Sequence, residues 1–475
     1  MKKTALLFTL LLAGLPLSLA ACEVGPDYAP PATNAPKAWD ADRQGSFGTI
    51  DQNWWKNFND PVLSELIGKA TQGNFDLQIA EARIAQARAG VASATAALLP
   101  QGDVKGTATR EANQMAMPGG SANPFGSLLH KPFNLFQTGF DASWELDLFG
   151  GNRRAREAAQ AEMQAFEASR DDLMVSLRAE VARTYVDIRQ YQAQIEIAKD
   201  TVAADCKSLQ IARQRFKVGE AARLDVTQAE AALESARQKL PALQSQLVQS
   251  EYALDVLLGA QPGTARKIIA VTKPIPVSNK ELVLAAPAAV IAQRPDIRMA
   301  ERKLAATTAQ QGVAAAKFFP DISLSGFFGA LNTSAENLVI AGNESWMASG
   351  SILWPILSYG SLSANLHAAN AQQQEAMAFY RKTVFGALAD VDKALSAYTE
   401  QEKTLRATSA EAGKDRQSLA IARDRYRAGV TALDGVLDAR RTFDAARDKQ
   451  AQAEATATQD LIALYKSLGG GWRKG

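Results

Sequence analysis

Cysteine and histidine are nearly absent from this chain, which has two of each among 475 residues. Cys22 and Cys206 are too few to build the disulfide framework of a small secreted domain. We expect Cys206, which lies in an alanine-rich helical stretch, to be a small buried residue. His130 and His367 are too few for a histidine-based centre, so the sequence predicts no metal cofactor.

An excess of charge of either sign is also missing, because 52 Lys and Arg side chains are balanced by 50 Asp and Glu side chains. The chain therefore lacks the overall basic field that favours binding to nucleic acid. Long apolar runs are missing too: beyond residue 21 no run reaches 18 residues. The sequence consequently predicts no transmembrane helix.

Recognisable catalytic groups are lacking as well. The sequence contains no nucleotide-binding loop of the Gly-x-x-x-x-Gly-Lys-Ser/Thr kind. The adjacent acids Asp171 and Asp172 lie in a helical stretch of alternating charge, a pattern typical of a solvated surface. We therefore expect a protein that is not an enzyme and that does not hydrolyse ATP itself.

The N-terminus has the pattern of a secretory signal peptide over residues 1–21. Lys2 and Lys3 precede an uncharged apolar run that is too short to span a membrane. The run ends in Leu-Ala-Ala-Cys at Cys22, which resembles the lipobox of bacterial lipoproteins. This resemblance implies that Cys22 becomes the first residue and carries N-acyl (palmitate) and S-diacylglycerol lipid. Glu23 in the next position favours the outer membrane.

Two short segments repeat the same pattern. RFKVGEAARLD begins at Arg215 and RYRAGVTALDG begins at Arg425, 425 − 215 = 210 residues later. A shift of 220 residues also places the alanine-rich stretch that ends at Pro100 over the one that ends at Pro320. A repeat of this length predicts an internally duplicated fold. The predicted parts are a lipidated arm (22–60), a first repeat (61–265), a linker (266–286), and a second repeat with the C-terminal tail (287–475).

The hydrophobic period changes in the same order in both halves. Helical patterns cover residues 61–98 and 287–317, and alternating patterns then predict strands near 99–110, 135–149, 319–331 and 345–357. Long helical patterns follow the strands; the first runs from 151 to 217, on the order of 100 Å at 1.5 Å per residue. Second rods are predicted near 223–259 and 432–468. Such lengths favour an assembly of coiled-coil type.

The second predicted strand has one apolar and one acidic face. Phe140 and Trp144 alternate with the acids Asp141, Glu145 and Asp147. This alternation fits a tilted membrane-spanning strand, and it equally fits one face of a soluble antiparallel sheet. If the strands span a membrane, the three acids line the lumen.

Four strands cannot close a barrel around a water-filled lumen, and an open sheet edge cannot face lipid. Several copies of the chain must then share one barrel. Two copies give eight strands, a barrel of about the size that side chains fill, whereas three give twelve. A conducting channel therefore favours three or more copies.

A series of motifs in fixed order resembles one family over nearly the whole mature chain. The motifs are Gly25-Pro26-Asp27-Tyr28, Trp54-Trp55, Asp60-Pro61, Asn74-Phe75-Asp76-Leu77, Ser143-Trp144-Glu145-Leu146-Asp147, Arg294-Pro295-Asp296-Ile297, Phe319-Pro320 and Leu468-Gly469-Gly470-Gly471-Trp472. In these the chain is similar to TolC-like outer membrane factors of tripartite efflux systems, specifically the NodT-type lipoprotein branch.

The resemblance implies a mixed α and β membrane protein that forms a homotrimer. Its twelve-stranded outer-membrane barrel, with four strands from each chain, would continue into a long periplasmic α-helical tunnel. The expected partners are a periplasmic adaptor (membrane fusion) protein and an inner-membrane transporter of the resistance-nodulation-division type. The implied function is passive conduction of drugs or other small toxic compounds out of the cell.

By the same resemblance, the two repeated segments form the closed periplasmic tip. The residues implied in the gate are Tyr426, Arg427, Asp434 and Asp438 in one hairpin and Arg215, Arg223 and Asp225 in the other. A simpler interpretation is helix-turn-helix chemistry, in which Gly219 and Gly429 end one helix and Asp225 or Asp434 caps the next.

Two other classes of protein share these sequence features. One is the outer component of a type I protein exporter, which would have the same fold. The other is a lipid-anchored periplasmic coiled-coil scaffold with soluble hairpins in place of membrane strands.

Overall fold

The computed structural model describes residues 23–32, 35–41, 47–49, 51–111, 132–278, 283–338, 342 and 344–472. The signal peptide, Cys22 and the 112–131 loop with His130 lie outside these residues. The chain divides into two compact units. The strand unit contains residues 1–31, 84–165 and 301–379, and the helical unit contains 32–83, 166–300 and 380–475.

Most of the described chain is helical. The helices are α1 (Pro61–Gly73), α2 (Phe75–Ala96), α3 (Gly151–Lys217), α4 (Arg223–Leu257), α5 (Thr264–Ile268), α6 (Pro287–Gln293), α7 (Pro295–Ala316), α8 (Tyr359–Arg427) and α9 (Leu433–Ser467). Short 3-10 turns occur at Trp54–Phe58, Ala335–Asn337 and Ile356–Ser358. The predicted boundaries of α3 are confirmed, and those of α4 and α9 are within two residues of the prediction. Among the described residues, no helix is both long and apolar enough to cross a membrane.

The two stretches predicted as single helices are each broken in the middle. Asn74 leaves the helical conformation, and its side chain accepts a hydrogen bond from the Leu77 amide at 3.1 Å, which starts α2. In the second half Arg294 is extended, with ψ 126°. The ring of Pro295 disfavours the α conformation for the residue before it, so α6 ends there and α7 begins at the proline.

A stripe of apolar side chains on α3 supplies the centre of the helical unit. Leu177, Val181, Tyr185 and Ile188, spaced at three and four residues, are each no more than 5% exposed. They pack in one cluster with Trp54, Phe58 and residues of α1, α4 and α9. The ring of Trp54 stacks on Tyr465, with centroids 5.5 Å apart. Packing rather than intrinsic helix propensity therefore holds this region.

Strands β1 (Gln101–Glu111), β2 (Phe133–Leu146), β3 (Asp321–Asn332) and β4 (Glu344–Leu353) form one antiparallel sheet in the order β1-β2-β3-β4. All four predicted strands are confirmed. The register places Phe140 opposite Val104 and Phe328, and Phe328 opposite Trp346. Directly opposed residues share a face, so these side chains form an apolar row. Phe328 is 63% and Trp346 is 76% exposed in the single chain, which leaves this face uncovered.

The opposite face of the sheet is polar. Hydroxyl pairs bridge β3 and β4 on this face, with Oγ atoms 2.8 Å apart for Ser323 and Ser351 and 2.7 Å apart for Ser325 and Ser349. Phe327 is an apolar exception and is only 7% exposed. Its ring lies over Gly139 and Gly329, where an added Cβ would come within 2.8 Å of ring atoms. The sheet thus has two chemically distinct faces.

Two tryptophan contacts occupy matching positions in the two halves. The indole nitrogen of Trp144 donates to the Leu98 carbonyl at 3.0 Å, and that of Trp354 donates to the Phe318 carbonyl at 3.1 Å. The acceptors are 318 − 98 = 220 residues apart and the donors 354 − 144 = 210 residues apart. The same shifts relate the repeated segments of the sequence.

Candidate functional site

The repeated segments form two helix-to-helix turns of the same geometry. Gly219 has φ +79° and Gly429 has φ +74°, a backbone conformation that glycine adopts most readily. The amide of Glu220 donates to the Arg215 carbonyl at 2.9 Å, and that of Val430 donates to the Arg425 carbonyl at 2.9 Å. This six-to-one bond is the Schellman ending of a helix. Each long helix therefore ends at its glycine, and a second helix starts a few residues later.

The two turns contact each other in this chain. The guanidinium carbon of Arg215, at the end of α3, lies 4.3 Å from the centroid of the Tyr426 ring, at the end of α8. A cation over an aromatic face at this distance is attracted by the quadrupole of the ring. Leu433, the first residue of α9, packs against the cluster formed by Leu209, Ala212, Val226, Ala229 and Leu233 of α3 and α4. Both polar and apolar contacts thus join the hairpins.

Asp225 and Asp434 lie in the first turn of their helices but make different bonds. The Asp225 carboxylate accepts a hydrogen bond from the Ala222 amide at 3.0 Å, reaching back to the residue before α4. Asp434 accepts from the adjacent Gly435 amide at 2.8 Å. Both acids complement the positive end of a helix. These bonds support the capping interpretation of Asp225 more fully than that of Asp434.

Other implied gate residues point into solvent in the single chain. Asp438 is 74% exposed at its side chain and lies 3.4 Å from Nη1 of Arg441. Arg427 is 78% exposed and lies 3.3 Å from Asp424. Arg223 is an exposed residue that begins α4. The structure therefore brings Arg215 and Tyr426 together, whereas Arg427 and Asp438 make exposed pairs within their own helices.

Sequence reasoning missed the ion pairs that join α9 to the first hairpin. A nitrogen of Arg447 lies 3.3 Å from Asp200 of α3, and Nζ of Lys239 of α4 lies 3.8 Å from Asp448. Partners 200 or more residues apart in the chain carry no local signal. These exposed pairs each contribute little, about 0–1 kcal/mol.

The predicted lumen-lining acids lie in different environments. Asp141 is directly opposite Asp103 of β1, and Glu145 is opposite Ser323 of β3, so both lie on the polar face. Asp147 lies beyond the end of β2, which is three residues shorter than predicted. Its carboxylate accepts from the Asn152 amide at 3.1 Å and the Arg153 amide at 2.8 Å, so it caps the start of α3. Asp103 was not anticipated from the sequence.

The adjacent acids on α3 do not form a solvated surface, so that expectation was wrong. Asp171 is only 7% exposed and lies 2.9 Å from Arg170 and 4.0 Å from Arg298. Asp172 lines a cavity of about 250 Å³ with Arg294 and Asp296. Burial raises the pKa of both carboxyls; the nearby Asp296 adds to the shift of Asp172, and Arg170 opposes that of Asp171.

The expectation that Cys206 is buried was also wrong, because its side chain is exposed on α3. His367 lies in α8, as the helical pattern indicates. Across the described part of the chain, no group of three or more His, Cys, Asp or Glu is arranged to hold a metal ion.

The N-terminal arm is fixed to the strand unit. The Val24 amide donates to the Phe149 carbonyl at 3.1 Å, just after β2. Arg154, 3% exposed at its side chain, lies 2.5 Å from Asp27 and 3.6 Å from Glu23. The Tyr28 hydroxyl donates to Glu301 at 2.8 Å. The first described residue, Glu23, is therefore held where the sheet passes into α3.

A sheet with one exposed apolar face, joined to paired helices of 67 and 69 residues, defines a class of outer-membrane channel proteins with long helical segments. The family model described as outer membrane efflux protein matches residues 66–260 and 286–470. The chain belongs to the outer membrane efflux protein family, and it functions as an outer-membrane efflux channel.

Individual relatives agree with this assignment. Nodulation protein T of Rhizobium leguminosarum bv. trifolii is 30% identical over 459 residues, which cover 96% of this chain and 96% of that protein. The toluene efflux pump outer membrane protein TtgI of Pseudomonas putida is 30% identical over 466 residues, covering 96% and 97%. The solved outer-membrane channel OprN superimposes with a TM-score of 0.88 at 34% identity, over 95% of this chain and 100% of that one.

Proposed function

We propose that three copies of this chain form the exit duct of a tripartite efflux pump. The observation that carries this proposal is the sheet. Within the described residues, β1 and β4 each pair on one side only. An unpaired edge in hydrocarbon leaves backbone groups without hydrogen bonds, so β4 of one copy would pair with β1 of the next. Three copies give twelve strands, which leave room for a lumen that eight would fill.

The test combines mass and conductance. The full-length protein is purified in detergent, its mass is measured by native mass spectrometry, and it is then inserted into planar bilayers. A trimer that is lost on heating, together with discrete conductance steps, is the expected result. A monomer without conductance would instead favour the lipid-anchored scaffold. A trimeric channel that co-purifies with a protein substrate would favour the type I exporter.

The internal duplication of the fold is part of the proposal. It is supported by the matching Schellman turns at Gly219 and Gly429 and by the matching contacts of Trp144 and Trp354. Two similar halves give each trimer six nearly equivalent hairpins. The differences between the halves would then allow one set of hairpins to line the pore and the other to surround it.

Lipid attachment at Cys22 is likewise proposed. Arg154 holds Glu23 and Asp27 beside the end of β2. A lipid on the preceding residue would therefore start close to the apolar face of the sheet. Mass spectrometry of the N-terminal peptide should detect S-diacylglycerol and N-acyl groups, and a Cys22→Ala variant should lack them. An unmodified wild-type peptide would contradict the proposal.

The hairpin turns are proposed as the periplasmic gate and the contact region for a periplasmic adaptor protein. The adaptor would link the channel to an inner-membrane transporter of the resistance-nodulation-division type, which would supply the energy. Supporting this, the turns expose Arg427, Asp434 and Asp438, so polar groups are available to a partner. Crosslinking in cells followed by purification should recover both partner types.

We propose small toxic compounds as the cargo, since a relative is named for toluene efflux. Deletion of the gene should lower the minimum inhibitory concentration of such compounds, and re-expression should restore it. An unchanged sensitivity profile, together with the conductance described above, would retain the channel and reject this cargo.

A further inference from the structure

A cavity of about 290 Å³ lies between α3, α4 and α9. Much of its wall consists of the small side chains Ala198, Ala231, Ala232, Ala236 and Ala445. Larger apolar side chains at these positions would fill the space between the helices. The volume is near the lower limit of small-molecule sites in proteins, so it fits a small ligand.

Two buried carboxylates in this cavity lack hydrogen-bond partners. Asp205 of α3 is 7% exposed, and within the described part of the chain its side chain forms no hydrogen bond or ion pair within bonding distance. Asp444 of α9 is 6% exposed; its Oδ2 accepts from Nε of Arg440 at 2.6 Å, but its buried Oδ1 has no partner. Buried acceptors without donors are unfavourable and are usually satisfied by a ligand, water or a proton.

The cations that line the cavity each have an acidic partner of their own. Arg440 binds Asp444, Nη1 of Arg441 lies 3.4 Å from Asp438, and Nζ of Lys239 lies 3.8 Å from Asp448. The Lys239 side chain is also 61% exposed, so its charge is solvated. The charge left without a close counterion is therefore that of Asp205.

Burial raises the pKa of Asp205; Arg440 opposes this shift and the like charge of Asp444 adds to it. A proton would satisfy only one of the unpaired oxygens. An ammonium group has three donors, so it can bond to both acids at once. The four-residue spacing of Asp444 and Asp448 on α9 is about 6 Å along the helix axis, a distance that a four-carbon chain spans.

We propose that this cavity binds a small aliphatic diamine. One ammonium group donates to Asp205 and to Oδ1 of Asp444, the methylene chain lies against the alanine wall, and the second ammonium group lies near Asp448. A diamine bound in this way joins α3 to α9, and thus one hairpin to the other. The binding is independent of channel function and of the proposed gate.

Isothermal titration calorimetry of the full chain in detergent tests this directly, with 1,4-diaminobutane, 1-aminobutane and 1-butanol as probes. The diamine should bind, the monoamine should bind at least tenfold more weakly, and the alcohol should produce no binding heat. Absence of diamine binding at millimolar concentration would overturn the proposal.

Variants locate the site. Asp205→Asn removes the unpaired charge, and Ala232→Leu fills the cavity without changing any charge; each should weaken diamine binding at least tenfold. Glu234→Gln is the matched control, because Glu234 is an acid on α4 with a 68% exposed side chain that bonds to Arg237 outside the cavity. Equal affinities in all three variants would show surface adsorption and reject the site. Circular dichroism verifies that each variant is folded.

Discussion

Arg215 and Tyr426 are 426 − 215 = 211 residues apart in the sequence, yet the guanidinium carbon of the first lies 4.3 Å from the ring centroid of the second. This contact joins the end of α3 to the end of α8. Since each residue belongs to one of the two repeated turns, a change in the relative position of the hairpins must break it.

Loss of this contact should favour the open channel. A cation–π contact at an exposed site contributes about 0.5–1 kcal/mol, so Tyr426→Leu should raise the open probability in planar bilayers roughly two- to fivefold. Arg215→Ala should have the same effect, and the double variant should not exceed either single one by much. Arg213→Ala is the control, because Arg213 pairs with Glu230 within one hairpin. Wild-type open probability in both test variants would show that this contact does not hold the channel closed.

Acids at the start of α9 should restrict the closed tip if they face the pore axis. In a threefold assembly each acid is present three times, so Asp434→Ala combined with Asp438→Ala should raise single-channel conductance or antibiotic sensitivity through leakage. Glu411→Ala, which removes an acid paired with Lys449 further along the hairpin, should have little effect. Equal conductance in the double variant and the wild type would remove these acids from the gate.

The polar face of the sheet should favour cations. Asp141→Asn combined with Glu145→Gln should reduce cation selectivity, read as a shift of the reversal potential toward zero in a salt gradient. Asp147→Asn should behave differently: it removes the cap of α3, which costs about 0.5–2 kcal/mol, and should lower thermal stability more than selectivity. A larger selectivity change in Asp147→Asn than in the double variant would reverse this assignment.

Stability near the hairpins should depend on the protonation of Asp205. Its pKa is raised in the folded protein, so the folded state binds this proton more tightly, and stability falls as the pH rises from the unfolded pKa through the folded pKa. Asp205→Asn should therefore raise the apparent Tm at pH 7.5 by about 2 °C and have less effect at pH 4.5. Scanning calorimetry measures both values. A lower Tm for the variant at pH 7.5 would indicate that the charged form is stabilised instead.

Much of the fold could be predicted because its elements are long and regular. The boundaries of α3 and the four strands follow from hydrophobic period, since a helix of 67 residues or an alternating strand repeats its signal many times. The break at Asn74 was missed because a single asparagine that caps a new helix gives only a weak signal. The break at Arg294 was missed although Pro295 marks it.

The candidate site was predicted less completely. The sequence located both turns from their glycines, and it identified Arg215 and Tyr426 without pairing them. The burial of Asp171, the exposure of Cys206 and the helix cap formed by Asp147 all contradict or refine what local patterns indicate. Each depends on which residues of distant segments pack alongside.

The sequence by itself determined the order, length and two-faced character of the elements and the repetition of the halves, because these depend on local periodicity and turn chemistry. Only the tertiary structure decided that the turns touch through Arg215 and Tyr426, that Arg154 holds the N-terminal arm, and that Asp205 and Asp444 share a cavity. Burial and pairing depend on contacts between segments up to several hundred residues apart, and no local pattern in the chain records them.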